Sequence, residues 1–173
     1  MKNLFVILGN QLFHPKLLKE KGCTDVFMAE DFGLCTYVKH HKLKIYFFLC
    51  CMREYADELR TAGIKVHYFK LSERDENQTY TELLCSFLSE KKVANLNLFE
   101  IEDKSFELPF LKVLANAGIT YSIMDSPMFM FSRKDFSDFH KGLKQFRMNS
   151  FYIFGRKKFN ILLDNDQKPV GGK

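Results

Sequence analysis

Short apolar segments alternate with longer segments of helical period along the first 124 residues of the chain. Five of the apolar segments, each bounded by turn-forming or polar residues, predict β-strands at residues 3–8, 25–29, 65–70, 95–101 and 120–124. Strands that alternate with helices are typical of βαβ units, whose strands pair in parallel. The pattern therefore predicts an α/β fold: a Rossmann-like, open, parallel five-stranded sheet with helices on both faces and a C-terminal helical extension.

The strongest helical period extends from about residue 37 to 62. Apolar residues recur there at spacings of three and four, and Gly63 follows at a position where helices often end on glycine. Two further helices are predicted at about 79–91 and 105–117, the second also followed by a glycine, Gly118. These helices lie between predicted strands, as the crossover connections of a parallel sheet require.

A different pattern begins after the fifth predicted strand. Ser132 is the expected N-cap of a helix that extends to His140, because Asp135 occupies the third helical position of a capping box. A basic, amphipathic helix is predicted from about residue 143 to 163. The polar segment that follows contains a proline and two adjacent glycines, a composition typical of loops and linkers.

These patterns divide the chain into three predicted parts. Residues 1–131 form the α/β domain, residues 132–163 the helical extension, and residues 164–173 a linker toward a further domain that the sequence lacks. A length of 173 residues fits one compact core of this kind.

Cysteine usage and hydropathy exclude several classes of protein. The five cysteines form no C-x-x-C pair, which argues against a disulfide framework and against a zinc or cluster motif, so we expect a reducing, cytoplasmic compartment. The longest apolar run, residues 45–52, is much shorter than the roughly 18 residues of a membrane span, and no membrane partner is expected. Neither a G-x-G-x-x-G nor a Walker loop occurs, and no spacing indicates a nucleophilic triad. We therefore predict no catalytic residue and no metal site in this chain.

Positive charge is concentrated at the C-terminal end. Residues 133–173 contain ten Lys and Arg against four Asp and Glu, whereas residues 1–132 are nearly neutral. A basic helix of this kind can contact a phosphate backbone, contact an acidic protein surface, or simply be solvated. The candidates for DNA or phosphate contacts are Arg147, Arg156, Lys157 and Lys158.

Polar residues at the ends of the first two predicted strands are the candidate ligand site. Ligands of open parallel sheets bind outside the carboxyl ends of the strands, near the point where the strand order reverses. The candidates for ligand binding are Gly9, Asn10, Gln11 and Leu12 after the first strand, Glu30 after the second, and Tyr37, His41 and Lys44 at the start of the long helix. Glycine permits close backbone approach, and amides donate and accept hydrogen bonds to a flat heterocycle or a polyol. The alternatives are an ordinary βα turn and a solvated helix start.

Several segments in order resemble one family. They are Leu8-Gly9-Asn10-Gln11-Leu12, Thr36-Tyr37-Val38-Lys39-His40-His41-Lys42, Ser132-Arg133-Lys134-Asp135-Phe136 with Lys144-Gln145-Phe146-Arg147-Met148, and Asp166-Gln167-Lys168-Pro169-Val170-Gly171-Gly172-Lys173. They span almost the whole chain. The chain thus resembles the N-terminal domain of the deoxyribodipyrimidine photolyase-related proteins, the iron-sulfur bacterial cryptochromes and photolyases.

The resemblance implies cofactors and partners that the residues alone do not. Full-length members join a photolyase-type N-terminal domain to a helical domain that holds FAD and a 4Fe-4S cluster, and they repair (6-4) lesions in DNA or sense blue light. Their N-terminal domain can hold an antenna chromophore, 6,7-dimethyl-8-ribityllumazine. The implied partners are therefore the C-terminal FAD/iron-sulfur domain, in cis or as a separate chain, and DNA for the assembled protein.

The family pattern also differs from this sequence. The first family motif usually has Asp where this chain has Asn10, and the family's acidic-Trp pair near Glu102 is absent. The FAD and cluster ligands of the family lie beyond Lys173, so we expect this polypeptide alone to repair nothing, whether it is an expressed fragment or the product of a split or truncated gene. The alternatives are a stand-alone nucleotide- or flavin-like binding module, and a nucleic-acid-binding protein that uses the basic helix.

Overall fold

The computed structural model describes residues 3–171. The strands are β1 (Asn3–Val6), β2 (Asp25–Ala29), β3 (Lys65–Phe69), β4 (Asn95–Phe99) and β5 (Tyr121–Met124). They form one five-stranded sheet in the order β3-β2-β1-β4-β5, and every neighbouring pair is parallel. The predicted parallel five-stranded sheet is confirmed, with strands that are up to two residues shorter than the apolar pattern indicated.

Seven α-helices occur within the described residues. They are α1 (Pro15–Glu20), α2 (Phe32–Thr36), α3 (Lys42–Thr61), α4 (Tyr80–Lys91), α5 (Lys104–Asn116), α6 (Arg133–His140) and α7 (Met148–Phe159), with a 3₁₀ turn at Leu71–Glu73. The helices α1 and α2 were not predicted, because six and five residues are too few to establish a helical period. No helix among residues 3–171 is long and apolar enough to cross a membrane.

The prediction of one continuous helix over residues 37–62 is wrong. The chain forms α2, leaves the helical conformation at residues 37–41, and begins α3 at Lys42. His41 has an extended backbone and caps α3, because its Nδ1 accepts a hydrogen bond from the Leu43 N–H at 3.2 Å. The β-branched Val38 and two adjacent histidines have modest helix propensity, which favours the break at this point.

The chain divides into two compact units at Met128 and Phe129, three residues before the predicted boundary at 131. We call residues 3–128 the α/β unit and residues 129–171 the helical unit. Met1 and Lys2 of the predicted α/β domain, and Gly172 and Lys173 of the predicted linker, lie outside the described residues.

Helices cover both faces of the sheet in the α/β unit. Because side chains alternate along a strand, Phe5 of β1 packs in the core that includes Leu18 of α1 and Met52 of α3. Leu4 packs in the opposite core, which includes Leu84 of α4 and the fully buried Phe110 of α5. The sheet is thereby buried on both sides, as parallel sheets usually are.

Phenylalanine rings dominate the packing of the helical unit. Ser132 caps α6 with Asp135 in a capping box, as predicted. The helix α7 is shorter than the predicted 143–163, since it starts after an extended Arg147 and ends at Asn160 in the left-handed conformation. Seven rings lie within contact distance of one another, at Phe131, Phe136, Phe139, Phe146, Phe151, Phe154 and Phe159.

Candidate ligand-binding site

The strand order reverses between β1 and β4, which places the switch point of the sheet at the end of β1. From β1 the chain proceeds outward to β2 and β3 on one side, and then returns to β4 and β5 on the other side. The segments that leave β1 and β4 therefore flank the crevice where ligands of such sheets bind. The sequence predicted the first of these segments as part of the site but paired it with the exit of β2.

Gln11 connects the two sides of this crevice. Its side chain is buried, and its Nε2 donates to the main-chain oxygen of Glu100 at 2.9 Å and lies 3.5 Å from Glu102 Oε2. The other oxygen of Glu102 accepts a 2.5 Å hydrogen bond from Ser126, which follows β5. Gln11 Oε1 has no hydrogen-bond partner among the described residues, so one buried acceptor remains at the switch point.

Gly9 allows α3 to pass directly over the end of β1. A Cβ atom at this position would lie 2.5 Å from a ring carbon of Phe48 and 2.8 Å from Met52 Sδ. Both distances are shorter than non-bonded contacts allow, so a larger residue would force the side chains of Phe48 and Met52 to shift. The glycine of the predicted site therefore serves close approach to a helix.

The start of α3, residues 42–47, extends beyond the packed core of the α/β unit, whereas Phe48 and Leu49 already pack against that core. The helix has 20 residues, or about 30 Å, whereas a five-residue strand spans about 17 Å. None of the side chains at residues 42–51 is buried, while Met52, Tyr55, Ala56 and Leu59 in the second half are. The first half of the helix is thus the less buried half.

The predicted residues near the start of α3 are exposed and available for contacts. Lys44 lies one helical turn before Phe48, so it occupies the same helix face further out past Gly9. Tyr37 is 66% exposed, and its ring centroid lies 5.3 Å from that of His40. His41 caps α3 through Nδ1, which fixes the ring. In the β1 loop, Asn10 is exposed and Leu12 half-buried.

Glu30 has a different environment from the other predicted site residues. It is fully buried, and its two oxygens accept four hydrogen bonds: from Arg53 Nε at 2.6 Å and Nη2 at 3.0 Å, from the Tyr68 hydroxyl at 2.9 Å, and from the Leu71 N–H at 2.9 Å. A carboxylate offers about four lone-pair positions, so these donors use its full acceptor capacity. Glu30 thus joins β2, α3 and β3.

The protein donors set the protonation of this network. Burial by itself raises the pKa of Glu30, but the hydrogen bonds from Arg53, Leu71 and Tyr68 outweigh it and hold the pKa below its ordinary value. Burial, and then the bond to Glu30, raise the pKa of Tyr68. The Glu30–Arg53 ion pair is therefore charged at neutral pH.

Arg74 contacts the residues at the end of β2 from the segment that follows β3. Its side chain is 1% exposed and donates to the main-chain oxygens of Glu30 and Gln78, and it lies 3.4 Å from Asp31 Oδ1. Sequence reasoning missed Arg53, Tyr68 and Arg74. The one signal available was Glu30 itself, since a carboxylate that ends a buried strand requires a cation nearby.

A polar cleft of about 400 Å³ lies between α3 and the end of β3. The cations Arg53, Arg60 and Lys70 line it together with Tyr68, and Asp57 and Glu73 are the acidic residues of its wall. Arg60 forms a 2.6 Å ion pair with Asp57. The cleft was not predicted, because sequence periodicity does not show which side chains of a helix face the strand that follows it.

The four predicted phosphate contacts divide into two pairs. Arg156 donates to the main-chain oxygens of Ile161 and Leu162, and Lys158 forms an ion pair with Asp135. Arg147 and Lys157 are exposed and have no ion-pair partner among the described residues of the helical unit. Two cations therefore stabilise this unit internally, and two are available to a ligand.

The arrangement at the end of β1 is suited to binding rather than to bond chemistry. The candidate residues carry an amide at Asn10, a phenol ring at Tyr37, an imidazole at His41 and an ammonium at Lys44, and all four side chains are exposed. They offer donors, acceptors and ring faces to a planar ligand. Within residues 3–171 no cluster of three His, Cys, Asp or Glu side chains could hold a metal ion.

Known proteins match the whole chain. The family model described as deoxyribodipyrimidine photo-lyase-related protein matches residues 5–173. A (6-4) photolyase of Agrobacterium fabrum (strain C58 / ATCC 33970) is 28% identical over 177 residues, which cover 100% of this chain and 34% of that protein. An uncharacterized protein, R852, of Acanthamoeba polyphaga mimivirus is 27% identical over 184 residues, which cover 100% of this chain and 90% of the viral protein. The chain thus spans about a third of the first relative and most of the second.

Proposed function

The chain belongs to the deoxyribodipyrimidine photo-lyase-related family, and we propose that it binds a flat, polar chromophore of the 6,7-dimethyl-8-ribityllumazine class at the carboxyl end of β1. The observation that carries this proposal is the exposed start of α3, since residues 42–47 bury no side chain and Phe48 of the next turn packs beside Gly9 in the loop at the switch point. Ligand sites of this kind are concave, and we expect the start of α3 to form one wall of such a site.

The residues at this edge fit the chemistry of such a ligand. A fused heterocycle with ring nitrogens and carbonyls requires paired donors and acceptors, and the exposed Asn10 amide offers one of each, whereas the buried Gln11 holds the loop against Glu100. Tyr37 offers a ring face for stacking, and Lys44 and His41 offer donors to a polyol chain. Glu30 contributes indirectly, because its four hydrogen bonds hold α3 against β2 and β3.

The proposed role of these candidate residues is to bind the chromophore and to fix its orientation. When bound, such a chromophore absorbs blue light and passes the excitation to a flavin held elsewhere in an assembled protein. We propose as partner a helical domain that carries FAD and an iron-sulfur cluster, in cis or as a separate chain, with DNA as the substrate of the assembly. The support is that the photolyase relative is about three times the length of the matched region.

The test is a titration of purified protein with 6,7-dimethyl-8-ribityllumazine, followed by the fluorescence and anisotropy of the lumazine. We expect saturable binding that Tyr37→Ala weakens by about tenfold, because loss of ring stacking costs about 1–3 kcal/mol. Tyr152→Ala is the matched control, since Tyr152 is 60% exposed in the helical unit and Tyr37 is 66% exposed. Absence of binding, or equal binding by both variants, would refute the proposed site.

The cleft beside Arg53 favours a second candidate, a nucleotide-binding module. Three cations and a phenol surround a volume that falls within the range of small-molecule sites, and Lys70 has no ion-pair partner among residues 3–171. Adenosine monophosphate is the probe. Binding that Lys70→Ala and Arg60→Ala weaken, with no lumazine response in the same protein, would favour this function over the first.

A further inference from the structure

The outer face of the first half of α3 is an apolar stripe. Leu43, Tyr46 and Phe47 are 63%, 68% and 70% exposed, and Cys50 is also exposed. Their spacings of three and four place all four on one side of the helix, opposite the face that contacts Gly9. Large apolar side chains that share one solvent-facing stripe are typical of interaction surfaces.

The stripe is self-complementary about its own midpoint. In an antiparallel pair of helices centred between Tyr46 and Phe47, Leu43 lies opposite Cys50 of the second copy, and Tyr46 opposite Phe47. The two-fold axis repeats both contacts, so a single patch supplies both sides of the interface. A parallel pair would instead oppose identical residues and identical charges.

The charges beside the stripe favour the antiparallel arrangement. Lys39 and Lys42 precede or begin α3, whereas Glu54 follows the stripe by one turn of helix. The same register brings Lys42, the first residue of α3, within about one helical turn of the position opposite Glu54 of the second copy, and this approach also occurs twice. Arg53 on the flank is already neutralised by Glu30, with Nε 2.6 Å from Oε1.

We propose that the chain forms an antiparallel homodimer through the outer face of α3. The contact area of one helix pair is smaller than that of a standard interface, so association is expected to be weak and to depend on concentration. The inference does not depend on the ligand proposed above, since the stripe and the ligand-facing side of α3 are opposite faces of the helix.

Sedimentation equilibrium of the full chain across the micromolar range tests the proposal. We expect a monomer–dimer equilibrium that Phe47→Glu weakens by at least about tenfold, because the change places two carboxylates in the apolar centre. Leu108→Glu is the matched control, with a side chain that is 66% exposed on α5. Circular dichroism of each variant separates dissociation from loss of fold. A monomer at every concentration, or a dimer that Phe47→Glu leaves intact, would overturn the proposal.

The register has its own test. Lys42→Glu and Glu54→Lys should each weaken association by about threefold, and the double variant should restore it, since each contact occurs twice. Leu43→Cys should form an intermolecular disulfide with Cys50, identified by peptide mass spectrometry. Within one helix these positions are about 10 Å apart, beyond the reach of a disulfide. A dominant Cys50–Cys50 link in the unchanged protein would contradict the antiparallel register.

Discussion

Removing the cation of the buried Glu30–Arg53 pair should destabilise the α/β unit strongly. Arg53→Met keeps most of the side-chain volume but leaves a fully buried carboxylate with only the Tyr68 hydroxyl and the Leu71 N–H as donors. Breaking a buried ion pair in this way costs about 3–5 kcal/mol. Because the Arg53 side chain is 48% exposed, water screens the pair, and we expect the lower end, about 3 kcal/mol.

The opposite change should cost less. Glu30→Gln preserves the shape and one acceptor oxygen, but its NH2 group would face donors that the carboxylate now accepts from, and we expect a cost of about 1–3 kcal/mol. In the double variant Glu30→Gln/Arg53→Met no unpaired charge remains. We therefore expect its cost to be at least about 1.5 kcal/mol less than the sum of the single costs.

The pH dependence of stability follows from the direction of the pKa. The folded-state pKa of Glu30 lies below its unfolded value, so its contribution is complete above about pH 4.5 and is lost as pH falls through the folded-state pKa. Glu30→Gln should therefore flatten the acid limb of the stability curve. A buried carboxyl group that is neutral in the folded state would show the opposite dependence, because its contribution to stability is lost as pH rises.

Protection of Cys23 provides an assay that reports on the α/β unit alone. Cys23 is buried in the core beneath α3, and burial raises the pKa of its thiol to about 12, so alkylation requires opening of this unit. Pulsed alkylation in a urea series, read by peptide mass spectrometry, gives the free energy of unfolding for each variant. A cost below 1 kcal/mol for Arg53→Met, or strictly additive costs, would refute the role assigned to the pair.

Three other predictions address single features. Gly9→Ala should lower the free energy of unfolding by about 1–3 kcal/mol in the same assay, because its Cβ would overlap Phe48, and Phe48→Leu should recover part of the loss; no rescue would contradict the close-approach explanation. Asn10→Asp should strengthen lumazine binding, since a charged acceptor forms the stronger hydrogen bond, and fluorescence titration that finds weaker binding would reverse the assigned role. The ion pair with Lys158, together with backbone capping, lowers the pKa of Asp135, so its contribution to the helical unit should be lost as pH falls through that value. Carboxyl NMR titration measures this pKa, and Lys158→Met should raise it.

The sheet was predictable because its signal is local. Each strand is a short apolar run between polar residues, and the core faces of β1 alternate residue by residue, with Leu4 on one side and Phe5 on the other. The short helix α2 was not predictable in this way, because its five residues are too few to show a helical period, and the predicted long helix began only at about residue 37. The cap at His41 that separates them is rare in capping statistics, which favour Ser, Thr, Asp and Asn.

The sheet edge at which the candidate residues lie was predictable, but the contacts between their side chains were not. The carboxyl ends of parallel strands lie at one edge, so Gly9 and Glu30 could be placed there from the strand assignments alone. Arg53 and Arg74 lie 23 and 44 residues from Glu30 in the sequence, and the periodicity of apolar residues does not predict contacts between such distant residues. The helical period of α3 places Arg53 on a solvent-facing flank. The sequence pattern therefore gives no indication that Arg53 pairs with the buried Glu30.

We expect the first half of α3 to couple the proposed ligand binding to the proposed self-association. Residues 42–51 contribute no fully buried side chain, so their helicity depends on the His41 cap and on continuity with the buried second half. This segment is therefore expected to open at lower free energy than the rest of the α/β unit. A ligand on its inner face and a second copy on its outer face would both bind the helical form and shift the same equilibrium toward it. By linkage each event must then favour the other, and lumazine should strengthen the dimer by the factor by which the dimer strengthens lumazine binding.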